Sequence, residues 1–176
     1  MYSFIVSQMD TVEILPQIPE HELQKLYEIM SSFSVPKTGV QSNRRGFEPG
    51  HRAMTLGIIK QRRGGLVTLS YYSKKYPLLL EELSRLATLL NFQHTSIHVN
   101  HNVKCPPHVD SNIVGESLIF SIGDYTGGDL KICEKAYNIR HTPVIFDGSK
   151  LVHYTTDFVG NRYSFVFYSI KETPLA

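Results

Sequence analysis

The sequence is short of several things, and each shortage excludes something. Among 176 residues there are two cysteines, Cys105 and Cys133. Two cysteines cannot make a disulfide framework, so a reducing cytoplasmic or nuclear compartment is expected. No apolar run approaches the roughly 20 residues of a membrane span, so no membrane association is expected. The first residues, MYSFIVSQMD, have no basic stretch and reach Asp10 early, which speaks against a signal peptide. No internal repeat, low-complexity tract or linker interrupts the chain. Its 41% hydrophobic and 19% charged residues are ordinary for a globular protein and exclude wholesale disorder and collagen-like structure. The length suits one domain over 1–176, with 1–93 as an N-terminal part and 94–170 as a core. A monomer is assumed.

Net charge of one sign is also scarce, but the total of +2 averages two unlike parts. Residues 37–75 hold nine bases against the single acid Glu48, a local net of +8. Nine bases and fifteen acids elsewhere leave −6. Such a split suggests an anionic partner on one side of the molecule.

Periodicity organises what is present. Pro19 suits a helix start, and Leu23, Leu26, Tyr27 and Met30 then form one apolar stripe. Residues 33–53 read as a long loop rich in Ser, Gly, Pro and Arg. MTLGIIK (54–60) and LVTLSYY (66–72) flank QRRGG as a hairpin with a basic tip. A second helix is expected near Pro77, burying Leu79, Leu83, Leu86 and Leu90. After residue 94 the chain breaks into short β-rich runs, TSIHVNHNV, ESLIFSIGDY, DLKICE, TPVIFDG, KLVHYT and RYSFVFYSI. These indicate an α+β chain in which N-terminal helices pack on one side of a jelly-roll-like β-core.

The sharpest local pattern is PPHVD. In extended backbone His108 and Asp110 project to one face. His153, at the end of KLVHYT, would complete a two-histidine, one-carboxylate triad, a ligand set that favours non-haem Fe(II) and also serves zinc hydrolysis. Nine residues beyond His153, Arg162 shares a strand face with Ser164. An inward arginine needs an anion, either a ligand carboxylate held bidentately or a structural acid such as Asp147. Strand parity turns Asn100 towards a cavity if Ile97 and Val99 face the helices, and Ser121 is a further candidate on ESLIFSIG. Gly127 and Gly128 permit the positive φ of a tight hairpin turn. Cys105 is expected to serve packing.

The ordered set of HxD, a GGDL turn, and a distal His followed nine residues later by RxS resembles the Fe(II)/2-oxoglutarate-dependent dioxygenases over about residues 94–170. That resemblance implies a double-stranded β-helix core, with Fe(II), 2-oxoglutarate and O2 as cofactors. It implies His108, Asp110 and His153 as metal ligands and catalytic centre, and Arg162, assisted by Ser164, as the holder of the distal carboxylate of 2-oxoglutarate. The strings VNHNVKCPPHVDSNIVGESLIFSIGDYTGGDL and FDGSKLVHYTTDFVGNRYSFVFYS look like the TET/JBP-related group, which oxidises methyl groups on nucleobases. The turn and the His-to-Arg spacing look like prolyl hydroxylases. The basic segment favours a methylated base or thymine in DNA or RNA, with Arg44, Arg45, Arg52, Arg62 and Arg63 as candidate substrate contacts. A protein hydroxylase, and an inactive nucleic-acid-binding β-core, are the alternatives.

Overall fold

The computed structural model describes residues 11–38, 46–48, 50–61 and 64–171. Arg44, Arg45, Arg62 and Arg63 lie outside them. Among the described residues, no helix is long and apolar enough to cross a membrane.

The elements run β1 (Glu13–Ile14), α1 (Glu20–Ser31), β2 (Arg52–Lys60), β3 (Val67–Leu69), α2 (Tyr71–Lys75) and α3 (Pro77–Leu89). Seven more strands follow: β4 (Ser96–His101), β5 (Ser117–Gly127), β6 (Leu130–Ile132), β7 (Lys135–Tyr137), β8 (Val144–Phe146), β9 (His153–Thr155) and β10 (Phe158–Tyr168). Pro19 caps α1, whose first turn carries Glu20 and Glu22 against the positive end of the helix dipole. Pro77 opens α3, where its missing N–H costs nothing. The expected hairpin forms between β2 and β3, but its second strand is shorter than the sequence suggested. Ser70 ends β3 by accepting a hydrogen bond from the Ser73 N–H, which starts α2 where strand was expected.

A seven-stranded sheet has the order β1-β8-β5-β10-β4-β2-β3, and a three-stranded sheet the order β7-β6-β9. Alternation along the large sheet separates two faces. Leu56, Ile97, Val99, Leu118, Phe120, Phe165 and Phe167 point outwards and pack with Leu23, Leu26, Met30, Leu79, Leu83 and Leu86 of α1 and α3. Ile119 points inwards and packs with Leu130, Ile132, Ile139, Val144 and Phe146. Each fully buried phenylalanine on the outer face contributes about 1.5–3 kcal/mol. The helices thus close one face of the sheet, leaving the other to face the small sheet across a cavity. This is the jelly-roll arrangement expected from the β-rich runs.

One turn differs in kind from the expectation. Gly127 and Gly128 do have positive φ, at 77° and 71°, yet they do not close a hairpin. Strand β5 pairs with β10 and β8, whereas β6 pairs with β7 and β9. The glycine pair therefore carries the chain from one sheet to the other, and local sequence signals a turn without saying which sheet receives the next strand.

An ion-pair latch joins the helices. The Glu82 side chain on α3 is wholly buried and accepts three hydrogen bonds from Arg85, which also reaches Glu22 of α1 at 2.7 Å. Hydrogen bonds first to Glu82 and then to Glu22 push the arginine pKa up.

Candidate active site

The two histidines and the aspartate meet where the small sheet is extended by one bridge. His108 and His153 are antiparallel partners, with N–H to carbonyl distances of 3.1 and 3.0 Å in the two directions. Asp110 is fixed by its own N–H, which donates to the Gly148 carbonyl at 2.8 Å. One ligand atom from each of the three lies within 4.8 Å of the others. The Nε2 atoms of His108 and His153 stand 3.3 and 3.4 Å from the two carboxylate oxygens of Asp110.

The second nitrogen of each ring decides the chemistry of the first. His108 Nδ1 lies 2.6 Å from the Pro106 carbonyl, and His153 Nδ1 lies 2.8 Å from the Leu151 carbonyl. A carbonyl only accepts, so each Nδ1 donates to its own backbone carbonyl and each ring turns its Nε2 towards Asp110. Backbone-bonded rings of this kind are the usual outer support of a metal-binding histidine. Burial raises the Asp110 pKa, but hydrogen bonds and charge from His108 and His153 outweigh it and hold the carboxyl well below its ordinary range. Gly148 completes the cradle, because a Cβ there would lie 2.5 Å from Asp110 Oδ2. The donor set and its support suit a divalent metal of the iron or zinc type.

A cavity of about 320 Å³ opens beside these residues. Its polar wall comes from alternating positions on three strands of the large sheet: Thr55 on β2, His98 and Asn100 on β4, and Ser164 on β10. Asn100 Nδ2 donates to Ser164 Oγ at 3.4 Å, while Asn100 Oδ1 is buried without a hydrogen-bond partner. Ile97 and Val99 are in the helix-facing core, which is why Asn100 faces the cavity. Ser121, by contrast, is bonded to the Tyr125 hydroxyl.

Arg162 is the most unusual group here. It is 2% exposed, and its Nε has no hydrogen-bond partner. The guanidinium lies 5.5 Å from the ring centroids of both Tyr125 and Phe158. Burial pushes its pKa down, opposed by Tyr125, Cys105 and Asp129, and an arginine still carries its charge. Asp147, the structural acid that the sequence offered as an alternative partner, is bonded to Ser149 and paired with Lys150 instead. A buried cation without a matched anion costs several kcal/mol, so the arrangement calls for an anionic ligand.

Of the basic residues, Arg52 donates from Nη1 to the Val35 carbonyl at 2.7 Å and is half-buried. Its segment nonetheless reaches the site, since Phe47 and Thr55 line the cavity. The Phe47 ring sits edge-on to His108 at 6.4 Å. Tyr125, Phe158, Gly128 and Gly148 were missed in the sequence. Only the Gly-Gly pair and the Asp-Gly of FDG gave any signal there, and each reads locally as a turn.

No family model and no curated protein matches the sequence. Solved structures do match the fold. NgTET1 in complex with 5mC DNA has a TM-score of 0.65 at 17% identity, over 91% of this chain and 72% of that one. A Pseudomonas putida prolyl-4-hydroxylase gives 0.55 at 12% identity, over 93% and 94%. An oxidoreductase of the 2OG-Fe(II) oxygenase family from Burkholderia pseudomallei gives 0.53 at 16%, over 89% and 82%. With a two-sheet core, a His-Asp-His cluster between the sheets and these neighbours, the chain has the 2OG-Fe(II) oxygenase fold, related to that of NgTET1.

Proposed function

We propose that this protein is an Fe(II)/2-oxoglutarate-dependent dioxygenase that hydroxylates the methyl group of 5-methylcytosine or thymine in DNA or RNA. The observation that carries the enzymatic reading is the pairing of the His108–Asp110–His153 cluster with a buried Arg162 whose Nε has no hydrogen-bond partner. His108, Asp110 and His153 would hold the iron. Arg162 would bind the distal carboxylate of 2-oxoglutarate, with Ser164 and Asn100 as further hydrogen-bonding groups and Ser121 acting through Tyr125. Iron, O2 and 2-oxoglutarate together supply the oxidising power for C–H hydroxylation and leave succinate and CO2.

The chain's own residues contribute orientation and dryness. Carbonyls of Pro106 and Leu151 hold the two imidazoles with Nε2 aimed at Asp110. Ile119, Leu130, Phe146 and Val166 wall the cavity with apolar surface, which strengthens the attraction between Arg162 and a carboxylate.

The nucleobase reading rests on the basic segment. Lys37, Lys60, Lys74 and Lys75 are exposed on it, and Phe47 and Thr55 carry it to the cavity. Cations there would neutralise phosphates, while the cavity would admit an unstacked base beside an aromatic ring. The likeness to NgTET1, solved with 5mC DNA, supports it. A protein hydroxylase is the second reading, favoured by the likeness to the prolyl-4-hydroxylase.

Mass spectrometry of nucleosides from DNA and RNA incubated with enzyme, Fe(II) and 2-oxoglutarate tests the proposal. New hydroxymethyl nucleosides with matching succinate support it. Succinate without modified nucleosides from either polymer moves the substrate to protein. No succinate under any condition removes the enzymatic reading.

A further inference from the structure

The end of the basic segment carries a run of rings that the chemistry above does not use. Phe33 stacks on Tyr76, with ring centroids 4.5 Å apart and planes 23° from parallel. Tyr76 stacks in turn on Tyr72 at 6.3 Å and 12°, and Tyr71 meets Tyr72 edge-on at 5.3 Å. The first three rings are half-buried, whereas Tyr71, at the open end of the run, is 66% exposed. An exposed ring backed by packed rings is held as a platform.

Cations flank it. Lys75 Nζ lies 5.9 Å from the Tyr71 centroid and 5.5 Å from that of Tyr76, and Lys74 is exposed beside it on α2. Among the described residues, no acid pairs with either lysine. Leu69, two residues before Tyr71, is exposed as well. The face is thus apolar and basic together, the combination on which bases stack while phosphates are neutralised.

The register fixes where this face stands. The Gly57 N–H donates to Ser73 Oγ at 2.7 Å, which ties α2 to β2. Gly57 pairs with Ser96 on β4, and Ser96 with Tyr168 on β10. Tyr168 lines the cavity, so α2 is anchored two strand spacings, about 10 Å, from the cavity wall. Arg162 is six residues back along β10, about 20 Å from Tyr168. The platform therefore stands at the cavity end remote from the arginine, where the substrate rather than the dicarboxylate would enter.

We propose that Tyr71, Lys74 and Lys75 form a docking surface for single-stranded nucleic acid, on which a base flanking the one in the cavity stacks on Tyr71 while the lysines take phosphates. The inference rests on the nucleobase reading and adds the surface that grips the strand outside the cavity. Charge complementarity selects this partner, because residues 37–75 hold nine bases and one acid.

The test measures binding of a labelled, mixed-sequence single strand, as DNA and as RNA, by fluorescence anisotropy across a salt series. Tyr71→Leu should weaken binding about fivefold or more, the loss of one base–ring stack, with the salt slope unchanged. Tyr71→Phe, which keeps the ring, should bind as the wild type does. Lys74→Gln with Lys75→Gln should lower the slope by about 1.4, two phosphate contacts on a single strand. Substrate-independent succinate formation should be the same in all of them, since none of the changed residues lines the cavity. Wild-type affinity and slope in every variant overturn the surface and leave the nucleobase reading standing, as does equal weakening by Tyr71→Phe and Tyr71→Leu. A wild type that binds neither DNA nor RNA overturns both, and its binding of polyglutamate instead would give the face to an acidic protein.

Discussion

Gly128 and Arg162 are in direct contact: a Cβ on residue 128 would lie 2.9 Å from the arginine Nε and 3.0 Å from its Cδ. The turn that carries the chain between the two sheets is therefore also the floor beneath the buried guanidinium. Phe158 Cβ closes the same spot at 3.1 Å, so the arginine cannot move aside without disturbing the ring that covers it.

Gly128→Ala meets both limits, a left-handed φ of 71° and an occupied space. The backbone strain alone is about 1 kcal/mol, and displacement of Arg162 adds a loss of anion binding. Affinity for 2-oxoglutarate, measured by dialysis with Mn(II), should fall at least about tenfold, the equivalent of one charged hydrogen bond. An unaltered affinity would show that Arg162 does not hold the dicarboxylate.

Gly148→Ala tests the other end of the site. The added methyl would meet Asp110 Oδ2 at 2.5 Å and His153 Cε1 at 3.4 Å, turning the carboxylate away from the two Nε2 atoms. Metal affinity should drop by about 10- to 100-fold, as for loss of a supporting group around a ligand. Competition with a coloured chelator reads this directly. Retention of full affinity would remove Asp110 from the proposed ligand set.

Arg85→Ala leaves the Glu82 carboxylate wholly buried, with Lys25 at 3.8 Å as its remaining cation. Breaking a buried pair from one side costs about 3–5 kcal/mol, and the surviving lysine reduces that to about 2–3 kcal/mol. A urea midpoint shift of that size is expected. The double change Arg85→Met with Glu82→Leu should recover much of it, since no charge is then buried.

His141 gives stability a pH dependence. Burial first, and then Arg140, lowers its pKa from an ordinary 6.5, while its Nε2 is bonded to the Tyr27 hydroxyl of α1 at 2.8 Å. The folded state binds fewer protons than the unfolded chain, so the contribution is complete above 6.5 and is lost as pH falls through the folded value. Urea midpoints at falling pH should decline more steeply for the wild type than for His141→Gln. Parallel slopes would show that His141 does not titrate with folding.

Much of the architecture was legible because it depends on local period. Leu23, Leu26 and Met30 repeat at helical spacing and are buried on α1. Ile97 and Val99 alternate with His98 and Asn100, and β4 places the first pair in the core and the second on the cavity. One misjudged element, the strand predicted through residue 72, fails because a Ser70 cap outcompetes the β-preference of Tyr71 and Tyr72.

The sequence by itself determined which residues alternate inwards, which helical stripes cover the sheet, and that His108, Asp110, His153 and Arg162 carry the chemistry worth testing. Only the tertiary structure decided that β5 and β6 belong to different sheets, that Tyr125 and Phe158 enclose Arg162, and that Gly128 and Gly148 make room for the two charged groups. The physical reason is range. Alternation and capping act between neighbours a few residues apart, whereas the closure of one sheet over another brings together side chains dozens of residues apart, and no local pattern records which of them will meet.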